Sequence, residues 1–255
     1  MRNCTQSQSP FVILTVVIFF LSGCATASYR ANARLPQYFE KPVKIVVMPM
    51  DVKVFELTAG GVDLYKEDWS ADAKSNLITA LKEADPKIDQ LEFSIFDPSS
   101  LSEENQFFIK SQNGLFNLAA ESIVQHTYVP DTRFSDKMKN FDYTLGPEFE
   151  KVKQFVDSQA VLYCSGRNYI WTAGRAMMFI FAAAVFGDSA ASVVPVGNEY
   201  FLMSIVDTTT GDVMWFDFAS MPGNLRNADV DRQLVKQMLQ KIPRELAAAK
   251  KRSHP

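Results

Sequence analysis

Side chains that commonly carry chemistry are scarce in this sequence. Histidine occurs twice, as His126 and as His254 near the carboxyl end, which leaves His126 as the one imidazole with a plausible place in a site. No Gly-x-Ser-x-Gly elbow, Ser-x-x-Lys motif or His-Glu-x-x-His helix supplies an activated nucleophile or a metal-bound water. Structural or catalytic zinc draws on grouped cysteine and histidine, and neither a Cys-x-x-Cys pair nor paired histidines occur. His126 therefore reads as a helix-end residue, where an imidazole is favoured by the helix dipole. Glu148 and Glu150 are candidates for the two carboxylates of an acid–base hydrolysis. The segment Asp207-Thr208-Thr209-Thr210-Gly211 offers a strand-end carboxylate that could attack phosphorus. It lacks an accompanying lysine, however, and strand character resumes one residue after Gly211, so a hairpin turn accounts for it. Gly60-Gly61 is not followed by Lys-Ser/Thr and reads as a turn rather than a phosphate loop. The expectation is a chain with no catalytic residue, no cofactor and no metal.

The remaining chemistry lies in the cysteines, Cys4, Cys24 and Cys164. Arg2 precedes the unbroken apolar run FVILTVVIFF from Phe11 to Phe20, and Leu21-Ser22-Gly23-Cys24 follows at once. That run is too short for a permanent span, which takes about 20 residues, but it matches the apolar region of a secretory signal. The LSGC tetrapeptide resembles the lipobox of bacterial lipoproteins. The resemblance implies that the Cys24 thiol takes up diacylglycerol, that residues 1–23 are removed as a signal peptide, and that the new N-terminus is acylated, with palmitate as a representative chain. One acyl chain holds a protein to a membrane only marginally, whereas two or more anchor it stably. Ala25 stands where, in that family, Asp favours retention at the inner membrane. The resemblance therefore implies the outer membrane, facing the periplasm, in a cell with two membranes. With Cys4 lost and Cys24 lipidated, Cys164 has no disulfide partner even in an oxidising compartment. Its apolar surroundings (AVLYCSG) mark it as a small buried hydrophobe.

The whole chain carries a net charge of −3, and loss of Arg2 with the signal makes the remainder one unit more acidic. The only basic cluster is Lys250-Lys251-Arg252. Nucleic-acid binding, which needs a basic face, is excluded.

The elements that would position these residues follow from hydrophobic periodicity. Residues 24–42 read as a lipidated tether interrupted by Pro36 and Pro42. Extended, residues 25–42 would reach about 60 Å. VKIVVM from Val43 is a strand ended by Pro49, and VKVFEL from Val52 is its continuation past a kink. Trp69 to Ala84 is a helix burying Trp69, Ala73, Leu77, Ala80, Leu81 and Ala84. Leu91 to Phe96 is a strand. Ser100 and Glu103 form a capping box for a helix running to about Val124, with Phe107, Phe108, Leu115, Leu118, Ala119 and Ile123 as its apolar face. Residues 127–146 read as a polar surface loop. Pro147 opens a helix with Phe149, Val152, Phe155 and Val156 inward. Ala160 to Trp171 is a long strand, Tyr200 to Val206 and Val213 to Ala219 a hairpin, and Val230 to Ile242 a last helix stopped by Pro243. The alternation predicts an α/β fold: a single layered domain over 43–243, with a mixed sheet of about five strands and flanking helices, followed by a tail at 244–255.

In this order, and in the hairpin SIVDTTTGDVMWF with Asp207, Thr210, Gly211 and Trp215, the core resembles the envelope lipoprotein superfamily that contains the curli secretion lipoprotein and the penicillin-binding-protein activator lipoproteins. The resemblance covers 43–242 and departs from that pattern in the helical region 99–126 and the apolar insert 176–186. It implies an envelope protein that works through other proteins, and it transfers no activity to this chain.

The insert AMMFIFAAAVF (176–186) is too short to span a bilayer as a helix, and it lacks the alternation of a barrel strand. Burial in the core is the preferred reading. The functional alternative is an exposed patch, with Met177, Met178, Phe179, Phe181 and Phe186 binding a partner or another subunit, and insertion into a membrane ranks below both. Together these features predict a membrane-anchored, non-enzymatic envelope lipoprotein that acts as an accessory, partner-binding or assembly component. The alternative is a lipid-anchored hydrolase of envelope material using a carboxylate pair.

Overall fold

The computed structural model describes residues 29–40, 43–84, 91–189 and 198–243. The signal peptide, Cys24 and the tail at 244–255 lie outside the described residues. The frame is one open mixed sheet of eight strands: β1 (Tyr29–Ala31), β2 (Val43–Val47), β3 (Asp51–Leu57), β4 (Asp63–Lys66), β5 (Leu91–Ile95), β6 (Ala160–Trp171), β7 (Tyr200–Asp207) and β8 (Val213–Ser220). The helices are α1 (Leu35–Tyr38), α2 (Glu67–Ala84), α3 (Glu103–Thr127), α4 (Ser135–Lys139), α5 (Ala173–Phe186) and α6 (Ala228–Leu239). The fold class is the expected one, with more strands than the five anticipated.

The twelve residues of β6 organise the sheet. From Ala160 to Arg167 β6 pairs antiparallel with β7, which pairs with β8, which pairs with β1. On its other side β6 meets two strands in succession, both parallel to it. Its first residues register with β2 (Ile45↔Ala160), and its last with β3 (Asp51↔Ser165 to Leu57↔Trp171). Thus β2 and β3 follow one line broken at Pro49, which has no N–H to donate to a ladder. The break is clasped from α3, where the Asn113 side-chain amide donates to the Pro49 carbonyl at 3.0 Å and that of Asn117 donates to the Asp51 carboxylate at 2.8 Å.

Both faces of the sheet are covered, so its central strands are apolar on both sides rather than alternating. Ile45, Val47, Leu162, Cys164, Met203, Ile205 and Trp215 pack against α2 and α6, which contribute Leu77, Leu81, Leu234, Val235, Met238 and Leu239. Val46, Val161, Tyr163, Leu202, Val206 and Phe216 face α3 and a 3-10 segment, Pro147–Gln154, which contribute Ile109, Phe116, Ile123, Phe149 and Val152. Phe116 stacks on Tyr163 with ring centroids 4.3 Å apart.

Four local expectations are corrected. Residues 29–40 are not tether: β1 completes the sheet, and Leu35 and Phe39 are buried in the main core. The α3 cap is Ser102, whose hydroxyl accepts from the Asn105 N–H, while Ser100 closes a preceding 3-10 turn. The buried stripe of α3 is Ile109, Gln112, Phe116, Ala120, Ile123 and Thr127, spaced by three and four residues as one helical face requires. Phe107, Leu115 and Leu118, expected inward, are exposed. Finally, the 127–146 segment contains α4 and buries Phe141 and Leu145, its end stitched to the β7–β8 turn by the Leu145 N–H to the Gly211 carbonyl at 2.8 Å.

Candidate contact surface and the sites of reactive residues

The residues singled out for chemistry are dispersed over the fold. His126 sits in the last turn of α3, stacked on Phe134 at 4.2 Å, with Nδ1 3.0 Å from the Tyr143 hydroxyl and 3.3 Å from that of Ser122. Both hydroxyls meet the same ring nitrogen, which fastens α3 to the 134–143 segment. Glu148 and Glu150 are exposed on the 3-10 segment, Glu148 paired with Lys151. Two steps of a three-residue turn set them roughly 240° apart around the axis, so they do not face each other as a catalytic pair.

The Asp207 to Gly211 segment is a hairpin turn. The Asp207 Oδ1 accepts from the N–H groups of Thr209 and Thr210, each at 2.7 Å, and from the Thr210 hydroxyl at 3.2 Å. A carboxylate occupied in this way shapes the turn rather than offering a nucleophile. Cys164 is buried, and burial pushes its thiol well above the ordinary range. It packs as a hydrophobe, as expected.

One buried acid was not singled out by the sequence. Asp231, in the first turns of α6, is fully buried, and neither carboxylate oxygen has a hydrogen-bond partner among the described residues. Desolvation raises its carboxyl from the ordinary 3.8 to about 8. Between those values the folded chain holds a proton that the unfolded chain has released, so stability falls as pH rises from about 4 to about 8. Asp231→Asn, which cannot ionise, is expected to flatten this slope and to gain about 1–3 kcal/mol at pH 8. Urea midpoints measured across that range check it; an unchanged slope would mean that Asp231 finds a partner in solution.

The insert expected in the core stands mostly in the open. Residues 176–186 lie within α5, which Thr172 caps by accepting from the Arg175 N–H at 3.3 Å. Of the five residues anticipated as a contact patch, Met177 (67 % exposed), Phe181 (72 %), Phe186 (51 %) and Met178 (46 %) face outward, as do Ile180 and Val185. Phe179 is partly buried against Ala182 and lies 5.1 Å from the Trp171 ring. Arg175 is buried at the base of the helix, where it donates to the Thr58 carbonyl at 3.1 Å and ties α5 to the β3–β4 turn. Periodicity could not reveal this outcome, because a helix apolar all round carries no outward face in its sequence.

Beside the root of α5 lies a cleft of about 520 Å³, lined by Asn168, Tyr169, Ile170, Trp171, Glu199 and Met221 among others. Burial raises the Glu199 carboxyl, opposed by the Tyr169 N–H that it accepts at 3.1 Å. The Asn168 side chain bridges to the 223–225 segment, donating to the Gly223 carbonyl at 2.8 Å and accepting from the Leu225 N–H at 3.1 Å. The cleft floor is thus held by structural hydrogen bonds.

No family model matches the chain, and no curated protein matches it in sequence. Among solved structures the chain is similar to Lipoprotein GNA1162 from Neisseria meningitidis, with 15% identity over 80% of this chain and 99% of that one, at a TM-score of 0.29. It is also similar to the C-terminal domain of LpoB from Salmonella enterica, with 12% identity over 74% of this chain and 94% of that one, at a TM-score of 0.24.

Proposed function

We propose that this chain is a lipid-anchored, non-enzymatic accessory protein of the bacterial cell envelope. It is held by acyl chains on Cys24 at the outer membrane, facing the periplasm, and acts by contact through the α5 surface. The observation that carries this reading is the LSGC tetrapeptide directly after a ten-residue apolar run, with the first strand of the fold starting at Tyr29. A signal cleaved before Cys24 leaves only residues 25–28 between the lipid and β1. The folded body, 43–243 together with the 29–40 segment packed on it, would then sit close to its membrane. An exposed apolar helix suits a protein that works by docking.

Cys24→Ser is expected to abolish lipidation and the cleavage that depends on it. Mass spectrometry of protein purified from the envelope provides the check. The parent chain should begin at an acylated Cys24, and the variant should keep residues 1–23. A parent chain with an unmodified N-terminus, or cleaved elsewhere, would overturn the anchor.

A further inference from the structure

We infer that α5 is a membrane-surface helix, lying in the headgroup and acyl boundary of the bilayer that holds the lipid on Cys24. The inference rests on the anchor proposed above and names the occupant of the contact surface. Three observations support it.

The first is the character of the helix. From Ala176 to Phe186 α5 carries no charged or hydrogen-bonding side chain, and its exposed residues lie around most of its circumference. A helix that is apolar on all sides belongs in an apolar medium. At 1.5 Å per residue α5 is about 21 Å long, short of the ~30 Å hydrocarbon core. Among the described residues no helix is long and apolar enough to cross a membrane. Lying along the interface, with Phe179 and Ala182 turned toward the fold and the exposed faces in the acyl boundary, satisfies both limits.

The second is the company it keeps. The end of the sheet where β6 finishes and α5 begins also carries the β3–β4 turn, because Leu57 registers with Trp171. Val62 (56 % exposed), Leu64 and Tyr65 project from that turn and from β4. Met221, 77 % exposed, follows β8 at the same end, since Ser220 pairs with Tyr200 at the start of β7. Apolar side chains from three separate parts of the chain thus collect at one end of the molecule.

The third is the direction of the N-terminus. The strands β6, β7, β8 and β1 are successively antiparallel, so β1 runs opposite to β6 and the chain enters β1 from the end where α5 stands. Tyr29 is level with Cys164, through Asp217 and Met203. From there β6 climbs to Trp171, a further ~23 Å at about 3.3 Å per residue. From Tyr29 back to Cys24 the chain can extend about 17 Å in the same direction. The acylated end therefore reaches nearly to the level at which α5 begins, and its acyl chains extend beyond it. A bilayer entered by those chains meets α5, the β3–β4 turn and Met221 together.

The test uses the processed full-length chain, reconstituted into vesicles of phosphatidylethanolamine and phosphatidylglycerol with bromine on the acyl chains. Bromine quenches tryptophan only at short range, so a tryptophan in α5 reports contact with lipid. F181W is expected to show at least about twofold more quenching than the parent chain, as burial of the apolar face in the boundary requires. T209W, at the exposed β7–β8 turn on the opposite end, should show no increment. No increment for F181W, or equal increments at both positions, overturns the proposal. So does protection of F181W from bromine by a second copy or a protein partner, seen as a crosslinked complex through α5. Mass analysis of the same preparation separates the two readings. An acylated Cys24 with an unquenched F181W keeps the anchor and removes the membrane helix. A quenched F181W on an unacylated chain keeps the helix and removes the anchor.

Discussion

Gly211→Ala is expected to cost about 3–4 kcal/mol, a large share of the ~5–15 kcal/mol that holds a typical domain folded. Gly211 closes the β7–β8 turn at φ +73°, in the left-handed region. A side chain there costs about 1–2 kcal/mol from its contact with its own backbone. A Cβ at this position would also stand 2.6 Å from the Gly146 carbonyl oxygen and 3.1 Å from the Phe149 Cβ. Neither can swing aside, because the first is backbone and Phe149 is fully buried in the α3-side core. Relief would require the 143–146 segment to move away, breaking the hydrogen bonds from Leu145 N–H to Gly211 and from Val213 N–H to Tyr143. Chemical denaturation of the variant gives the loss directly. Gly114→Ala is the internal control: its added Cβ meets nothing within 4 Å in the middle of α3, so it should stabilise by about 0.5–1 kcal/mol. A Gly211→Ala loss below about 1 kcal/mol would show that the segment yields.

Trp215→Ala is expected to cost a similar amount, about 3–5 kcal/mol. Trp215 is among the largest fully buried side chains and lies on the α2–α6 side of the sheet. It registers with Ile205 on one side and with Ala31 of β1 on the other. Its removal leaves a cavity under a strand only three residues long. Beyond the fall in melting temperature, the variant should therefore lose its N-terminal segment to protease before the rest of the chain unfolds. Trp215→Phe keeps most of the volume and removes an indole N–H that has no partner among the described residues. It should cost less than about 1.5 kcal/mol. Equal losses for both variants would place the stabilisation in the indole rather than in the filled volume.

Most of the frame was legible in the sequence, for identifiable reasons. The limits of β6 and the β7–β8 hairpin follow from segments rich in apolar, β-branched and aromatic residues, with the hairpin turned by Thr208 to Gly211. The β2–β3 line was readable because Pro49 cannot donate to the ladder, which locates the kink. The α2 and α6 stripes were readable because each helix buries one face and wets the other. Where both faces are apolar, the sequence carries no polar side to mark the outward one. In α3 two stripes compete: Phe107, Leu115 and Leu118 on the outside, and Ile109, Phe116, Ala120 and Ile123 on the inside. In α5 no face is polar at all, so the sequence favours core burial where the helix is exposed. Short non-local pairings were equally invisible. Residues 29–31 carry no strand signal of their own, and only β8, far along the chain, makes them a strand. Asp231 was missed for a related reason, since an acid one turn into a helix looks like ordinary dipole compensation until its burial is seen.

The three-residue β1 ladder has a mechanical consequence. The lipid anchor proposed on Cys24 would load the fold through Tyr29, along the strand axis and toward the α5 end. Loaded in that direction, the β1–β8 hydrogen bonds are sheared together, whereas a pull across the sheet would peel them one at a time. Directly after β1, the Asn32 N–H donates to the Met214 carbonyl at 2.9 Å, and Leu35 and Phe39 sit in the core as plugs that must leave before more chain can be paid out. The attachment thus resists tugging along the line on which a membrane would tug. Its yield point is set by the packing of two side chains rather than by the length of a linker.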